Sequence, residues 1–354
     1  METKQPTGVW RMGLVAAAVA ACVAGGAREA AAMDVVWGGA VHEESNVRFG
    51  VLAGAAYHFK GMVEETERKY YTRQGDPIWS QGQEKYSQDD FETDDMFGLA
   101  GISFSAAGSW VRFRLDSVFM NPSLDATARR NYYLTLHDSI SYRGRDYDHF
   151  MIPEGEHFDA EFVGNMTEMT LMLAPLSLSD GALEITPLLE LGILALGGQY
   201  EIDAGESRGV TTYQYPPEEF VIGGHVKDWA GIGVPQWGGG VQIRLGSTDS
   251  VHLDLQAHYL FCLYNGSTSL FTTAKHRKKD LDLDHRNLQL RAALEIPTEA
   301  RTWTIGVQAQ FIETEGTLES SETDPKKIEA APERFDKVFN FELSTVLATI
   351  GVAF

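Results

Sequence analysis

Apolar and polar residues alternate one by one along much of this chain. In "VHLDLQAHYLFCLY", Val251, Leu253, Leu255, Ala257, Tyr259, Phe261 and Leu263 share one face, and the other begins His252, Asp254, Gln256, His258. In "RNLQLRAALEI", Leu288, Leu290, Ala292, Leu294 and Ile296 oppose Asn287, Gln289, Arg291 and Glu295. "TWTIGVQAQFI" and "SWVRFRLDSVF" repeat the pattern, with Arg112, Arg114 and Asp116 on the polar face of the second. Side chains of a strand alternate faces with period two, whereas helical spacing would scatter these polar residues round the element. The pattern predicts ten strands: Val47–Phe59, Met96–Ala106, Trp110–Met120, Phe162–Leu173, Leu183–Leu196, Trp237–Leu245, Val251–Tyr264, Asn287–Ile296, Trp303–Ile312 and Phe339–Phe354. Their lengths match or exceed the roughly 9–11 residues that cross a bilayer as a tilted strand.

The connections alternate long and short. The short ones are Ala107–Ser109, the stretch around "SLSDG", Gly246–Ser250 and Pro297–Ala300. The long ones are Lys60–Asp95, Asn121–Glu161, Gly197–Gln236, Asn265–Arg286 and Glu313–Val338. Membrane barrels of bacteria carry short periplasmic turns, longer outer loops and an even strand number. The expected fold is therefore all-β, a ten-stranded antiparallel transmembrane β-barrel with five long extracellular loops and four short periplasmic turns. Backbone groups in lipid must all be paired, so the sheet has to close. Arg112, Arg114, Glu184, Glu190, Arg291 and Glu295 then face an interior where they pair or are hydrated. The chain ends on a strand whose Val346, Ala348, Ile350, Val352 and Phe354 share one face, suited to lie against lipid. A periplasmic β-sandwich is the soluble alternative, but it does not predict the alternation of connection lengths.

The N-terminal stretch changes the compartment. Arg11 precedes an apolar run of small residues, and Ala30–Ala32 supply a cleavage site before Met33. The expected division is a signal peptide over 1–32 and a barrel domain over 33–354, with export to the outer membrane. A buried N-terminal helix and a lipoprotein-type cleavage before Cys22 are the alternatives. No later stretch of about 18 apolar residues predicts a membrane-spanning helix. Cleavage leaves Cys262 as the sole cysteine, so no internal disulfide is expected. The net charge of −21 argues against nucleic acid and anionic surfaces as partners and is compatible with cationic peptides or proteins. It equally suits the solubility of long loops.

The layout, together with "FGVLAGAAYHF", "RDYDHFM", "EHFDAEFVGN", "GIGVPQWGGGVQIRL" and "DHRNLQLRAALEIPTEARTWTIGVQAQF", resembles the omptins, the outer-membrane endoproteases. The resemblance implies peptide-bond hydrolysis with no cofactor, no metal and no covalent nucleophile. A water is activated between an Asp-x-Asp pair and an Asp-x-His pair, His taking its proton while a carboxylate orients the ring. Asp146 and Asp148 match the first pair as catalytic candidates; the plain alternative is two solvated loop acids. His157 and Asp159 fall in the family's following His-x-Asp run, as support for that loop. The second pair falls on Ser269 and Phe271, neither of which can act as a base. His285, beside Asp282 and Asp284, and His276 are the displaced candidates; Asp284 and His285 are neighbours and would face opposite ways on a strand. His58 stands where the family carries its specificity acid, and Asp94 and Asp95 could supply negative potential instead. The resemblance also implies outer-membrane lipid and lipopolysaccharide as neighbours, although the family's lipopolysaccharide-binding positions have no match in "GGQYEID". A non-catalytic barrel used for adhesion, ligand binding or architecture, and a small channel, are the other function classes.

Overall fold

The computed structural model describes residues 34–37, 46–61, 65–71, 77–81, 92–93, 96–108, 110–128, 132–211, 218–268, 277–322 and 333–354. Ten strands form a ring: β1 (Asn46–Gly61), β2 (Phe97–Ala107), β3 (Val111–Met120), β4 (His157–Leu173), β5 (Leu183–Ala204), β6 (His225–Leu245), β7 (His252–Thr268), β8 (Arg277–Pro297), β9 (Thr302–Glu322) and β10 (Glu333–Ala353). Each pairs antiparallel with its sequence neighbours, and β10 returns to pair with β1, Ile350 opposite Val51. The ring of pairings is closed. A pairing row that leaves β5 at Thr186 runs through Gln242, Gln256, Arg291, Gln308, Leu347, Gly54, Leu99, Met120 and Gly164 and returns to β5 at Gly198. That stagger is the signature of strands tilted to the barrel axis.

The four short connections lie at one end of this ring because consecutive strands are antiparallel. Each is closed by local bonds. Gly108 N–H donates to Val111 O at 2.9 Å and Thr298 N–H to Arg301 O at 2.7 Å. The Asp180 carboxylate accepts from the Ala182 and Leu183 N–H groups at 3.0 and 2.8 Å, with Gly181 at φ +91° taking the left-handed corner. Those two bonds, Leu183 first, hold the Asp180 carboxyl below its ordinary pKa. The segment Asp34–Trp37 pairs with Leu176–Ser179 at the same end.

Outward positions form an uncharged band round the ring. Val51, Ile102, Phe119, Leu171, Leu191, Leu290, Val307 and Ile350 are large, apolar and exposed. Trp110, Trp303 and Phe354 mark its edge at the short-turn end, where Arg301 stacks over the Phe354 ring at 4.9 Å. Toward the other end the band stops where Arg286 and Glu313 point outward on β8 and β9, 3.5 Å apart. A contiguous apolar belt of this kind on a folded chain marks a surface meant for lipid or for another protein.

The interior is divided along its length. Near the short turns it is polar and paired. Arg48 grips Glu295 with both guanidinium nitrogens, and His252 Nε2 reaches the same carboxylate at 3.1 Å. Arg291 and Arg114 flank Asp116, Arg244 meets Glu184 at 3.0 Å, and His258 Nδ1 meets Glu190 at 2.6 Å. At the centre, Glu168 accepts from Gln236 at 2.6 Å, from Asn287 and Gln310 at 3.0 Å each, and from Gln289. A cavity of about 140 Å³ opens among these groups, lined by Arg48, Gln242, Asp254, Arg291 and Glu295. Toward the long connections the inward positions turn apolar: Leu52, Ala56, Met120, Met166, Leu194, Ile312, Leu343 and Leu347 are buried together, and Val234, Cys262 and Leu283 cover the β6–β8 side.

Four stretches expected as long loops, 121–161, 197–236, 265–286 and 313–338, are largely strand, because the ring strands run on beyond the apolar band. Within 121–161 and 197–236, β4 reaches back to His157, β5 runs on to Ala204 and β6 begins at His225. The alternation continues there with a polar outer face: Phe158, Ala160 and Phe162 point in while His157, Asp159 and Glu161 point out. A second sheet, built from Tyr132–Tyr142, Arg145–Ile152, Ser207–Thr211 and Glu218–Ile222, packs on the inner face of this extension. Leu136, Tyr147, Phe150, Ile152 and Ile222 meet Phe158, Ile202 and Val226 between the two layers. The result is a small β-sandwich standing on the rim of the ring, as two sheets with one apolar face each require.

Candidate functional site

The wall under this sandwich is four strands wide: Ser123–Thr127, β4, β5 and β6. Its outer face carries cross-strand rows fixed by register. One row is Asp125, Asp159, Asp203 and His225; the next is Ser123, Glu161, Glu201 and Lys227. His157 stands two residues before Asp159 and so on the same face. His157 Nε2 lies 3.4 Å from Asp125 Oδ1. His225 Nδ1 lies 2.9 Å from Asp203 Oδ1, its Nε2 3.7 Å from Glu201 Oε1, and Lys227 Nζ 3.2 Å from Glu201 Oε2.

The residues singled out from the sequence are dispersed. Asp146 is exposed on the strand Arg145–Ile152, opposite Ser141 in the hairpin. Asp148 sits where that hairpin's register slips between Tyr147 and His149; its side chain lies outside the described residues. Between the two acids Tyr147 turns into the sandwich, and burial there raises its phenol above its ordinary pKa, the neighbouring Tyr142 adding to the shift. His285 is on the inner face of β8 and fully buried, its Nδ1 2.7 Å from Thr314 Oγ1 and its Nε2 3.1 Å from Gln236 Oε1. Its sequence neighbour Asp284 faces outward and bonds Arg286 at 2.7 Å. His58 lies on β1, 3.5 Å from Glu342 Oε2. His276, Asp94, Asp95, Ser269 and Phe271 lie outside the described residues.

Of these candidates the fold brings together His157 and Asp159, with Asp125 completing a cluster whose ligand-type atoms all lie within 4.8 Å of one another. Glu201, Asp203 and His225 form a second such cluster. Four of these six were not picked out from sequence. The signal was there as i, i+2 pairs, "HFD", "EID" and "HVK", but only the pairing register places the pairs side by side.

No family model matches the chain, and no curated protein matches it. Solved structures resemble it distantly. The outer membrane protease OmpT from Escherichia coli aligns over 89% of this chain and 99% of its own, at 9% identity and a TM-score of 0.37. A Pseudomonas aeruginosa FadL homologue aligns over 88% and 90%, at 8% identity and a TM-score of 0.24. The P. putida toluene transporter TodX aligns over the same shares, at 8% identity and a TM-score of 0.16. Similarity at this level assigns no activity to the chain.

Proposed function

We propose that this chain is an integral outer-membrane β-barrel, closed to solutes, that holds a β-sandwich at the cell surface. The observation that carries this reading is the filled interior. Ion pairs near the short turns and amide hydrogen bonds at the centre cross the lumen, and a buried apolar layer lies above them. Side chains largely fill barrels of near this strand number, and an apolar constriction resists wetting. The short turns face the periplasm and the sandwich the outside, in contact with the lipid and lipopolysaccharide of the outer leaflet. Planar-bilayer recording on the refolded protein tests the closure: a silent membrane is expected, and steady single-channel steps would overturn it.

A second reading keeps the endopeptidase role, with Asp146 and Asp148 orienting the attacking water, Asp94 and Asp95 drawing cationic peptides and His58 at the specificity position. Its motive is Asp146, exposed on a strand of the outer layer, with Asp148 two residues further along that strand. His285 has both ring nitrogens engaged in a buried network, which leaves His276 as the candidate base. Cleavage of basic reporter peptides tests this reading. Hydrolysis that survives Asp146→Ala and Asp148→Ala removes the mechanism, and no hydrolysis at all favours the scaffold role.

A further inference from the structure

The outer face of the sandwich wall poses an electrostatic problem. Asp125, Asp159 and Asp203 are directly opposite one another on three adjacent strands, and Glu161 is opposite Glu201 one row on. Like charges in directly opposed positions destabilise a sheet. Lys227 is the one lysine or arginine in these two rows, and it is already paired with Glu201. The second sheet supplies no counter-charge to this face, because it covers the opposite side. Something positive from solution is therefore favoured here.

The imidazoles at the ends of the array say what kind of cation. Each end of the array carries an imidazole placed among the carboxylates, so that Asp125, His157 and Asp159 form one cluster and Glu201, Asp203 and His225 the other, each with its ligand atoms within 4.8 Å. Oxygen-only sets suit magnesium and calcium, whereas imidazole with carboxylates suits zinc, copper and nickel. Zinc takes imidazole nitrogen and carboxylate oxygen at about 2.0–2.2 Å. All six side chains stand on strands whose backbone is fixed by pairing, and their exposed ends need only small rotations to converge. Water completes each coordination sphere.

We propose that this wall binds divalent transition-metal ions at two sites, one on Asp125, His157 and Asp159 and one on Glu201, Asp203 and His225. Strand spacing of about 4.8 Å puts the two ions roughly 10 Å apart. Binding ties the strand Ser123–Thr127 to β4 and ties β5 to β6, strand pairs that are otherwise held by backbone bonds and one apolar layer. The inference stands apart from any hydrolytic role, since none of the six residues belongs to the Asp146–Asp148 pair.

The test uses the untagged, refolded full barrel in detergent. Zn2+ is titrated against a chromophoric competitor, with Ca2+ and Mg2+ in parallel, on the parent and on His157→Asn, His225→Asn and the double variant. The substitutions are on exposed side chains, and heat-dependent gel mobility checks that each variant still folds. The expected result is that each single variant loses one equivalent of tightly held Zn2+, that the double variant loses two, and that Ca2+ competes at least tenfold more weakly. Cu2+ loaded into the parent is expected to show a dipolar coupling for ions near 1 nm apart. A double variant that holds as much Zn2+ as the parent overturns the proposal. So does Ca2+ binding as tight as Zn2+, which would mean diffuse counter-ion screening by an acidic face only.

Discussion

Glu168 offers the sharpest quantitative test of how the barrel interior is held. Its carboxylate is buried and accepts from Gln236, Asn287, Gln289 and Gln310, which belong to β6, β8 and β9 while Glu168 itself belongs to β4. It thus ties opposite walls of the ring. In Glu168→Leu the four amide donors lose that acceptor. Asn287 retains Gln236 Oε1 at 3.2 Å and Gln310 retains Asn287 Oδ1 at 3.2 Å. The donors of Gln236 and Gln289 are the two stranded by the change. A buried donor without a partner costs about 1–3 kcal/mol, so two cost about 2–6 kcal/mol. Removing a buried carboxylate also removes its own desolvation cost, which works in the other direction. The net loss expected is therefore in the lower half of that range, about 2–4 kcal/mol. Urea unfolding of the refolded barrel in lipid vesicles, followed by tryptophan fluorescence, measures it. Glu168→Gln, which keeps one acceptor oxygen, is expected to lose less than Glu168→Leu. A Leu variant within about 0.5 kcal/mol of the parent would refute the idea that this carboxylate organises the interior, since that is the scatter of a neutral substitution.

Other expectations follow from single features. Gly240 faces inward, and a Cβ there would lie 2.5 Å from Glu190 Oε1 and 2.8 Å from His258 Nδ1. Gly240→Val is expected to split that buried pair and cost about 3–5 kcal/mol in the same assay. Val307 sits on the exposed apolar band; Val307→Arg is expected to lower stability in vesicles by about 2–4 kcal/mol, with Val307→Leu near neutral. Tyr147 has a folded pKa above its unfolded value. Its contribution is thus complete below the unfolded pKa of about 10 and lost as pH rises through the folded one. Limited proteolysis is expected to cut the outer sheet faster at strongly alkaline pH, with the effect absent in Tyr147→Phe.

Much of the fold is legible in the sequence because one face of the ring is strictly apolar. The alternation of Trp303, Ile305, Val307, Ala309 and Phe311 with Thr304, Gln308 and Gln310 survives unchanged as outward and inward sets. The turns are legible too, since Asp180–Gly181 and Gly246 have the chemistry their corners need. Beyond the band the rule relaxes. Strands such as His157–Glu161 face water outside and a second sheet inside, and their period-two pattern looks like ordinary loop sequence until the partner sheet is seen. The candidate site suffers most from this. Asp146-x-Asp148 is visible as a spacing, but its hairpin slips register at that point. His285 and Asp284 divide between inside and outside as neighbours on a strand must. The rows joining Asp125, Asp159, Asp203 and His225 span parts of the chain that no local pattern connects, and only the register of four strands aligns them.

A nitroxide scan along Thr302–Ile312 in reconstituted vesicles tests the lipid-embedded ring most directly. Labels at Ile305, Val307 and Ala309 are predicted to collide freely with oxygen and hardly with a water-soluble nickel complex, while labels at Thr304, Gly306 and Gln308 meet little of either. Uniform access to the nickel complex, or a rise and fall of oxygen access with helical period, would contradict the account.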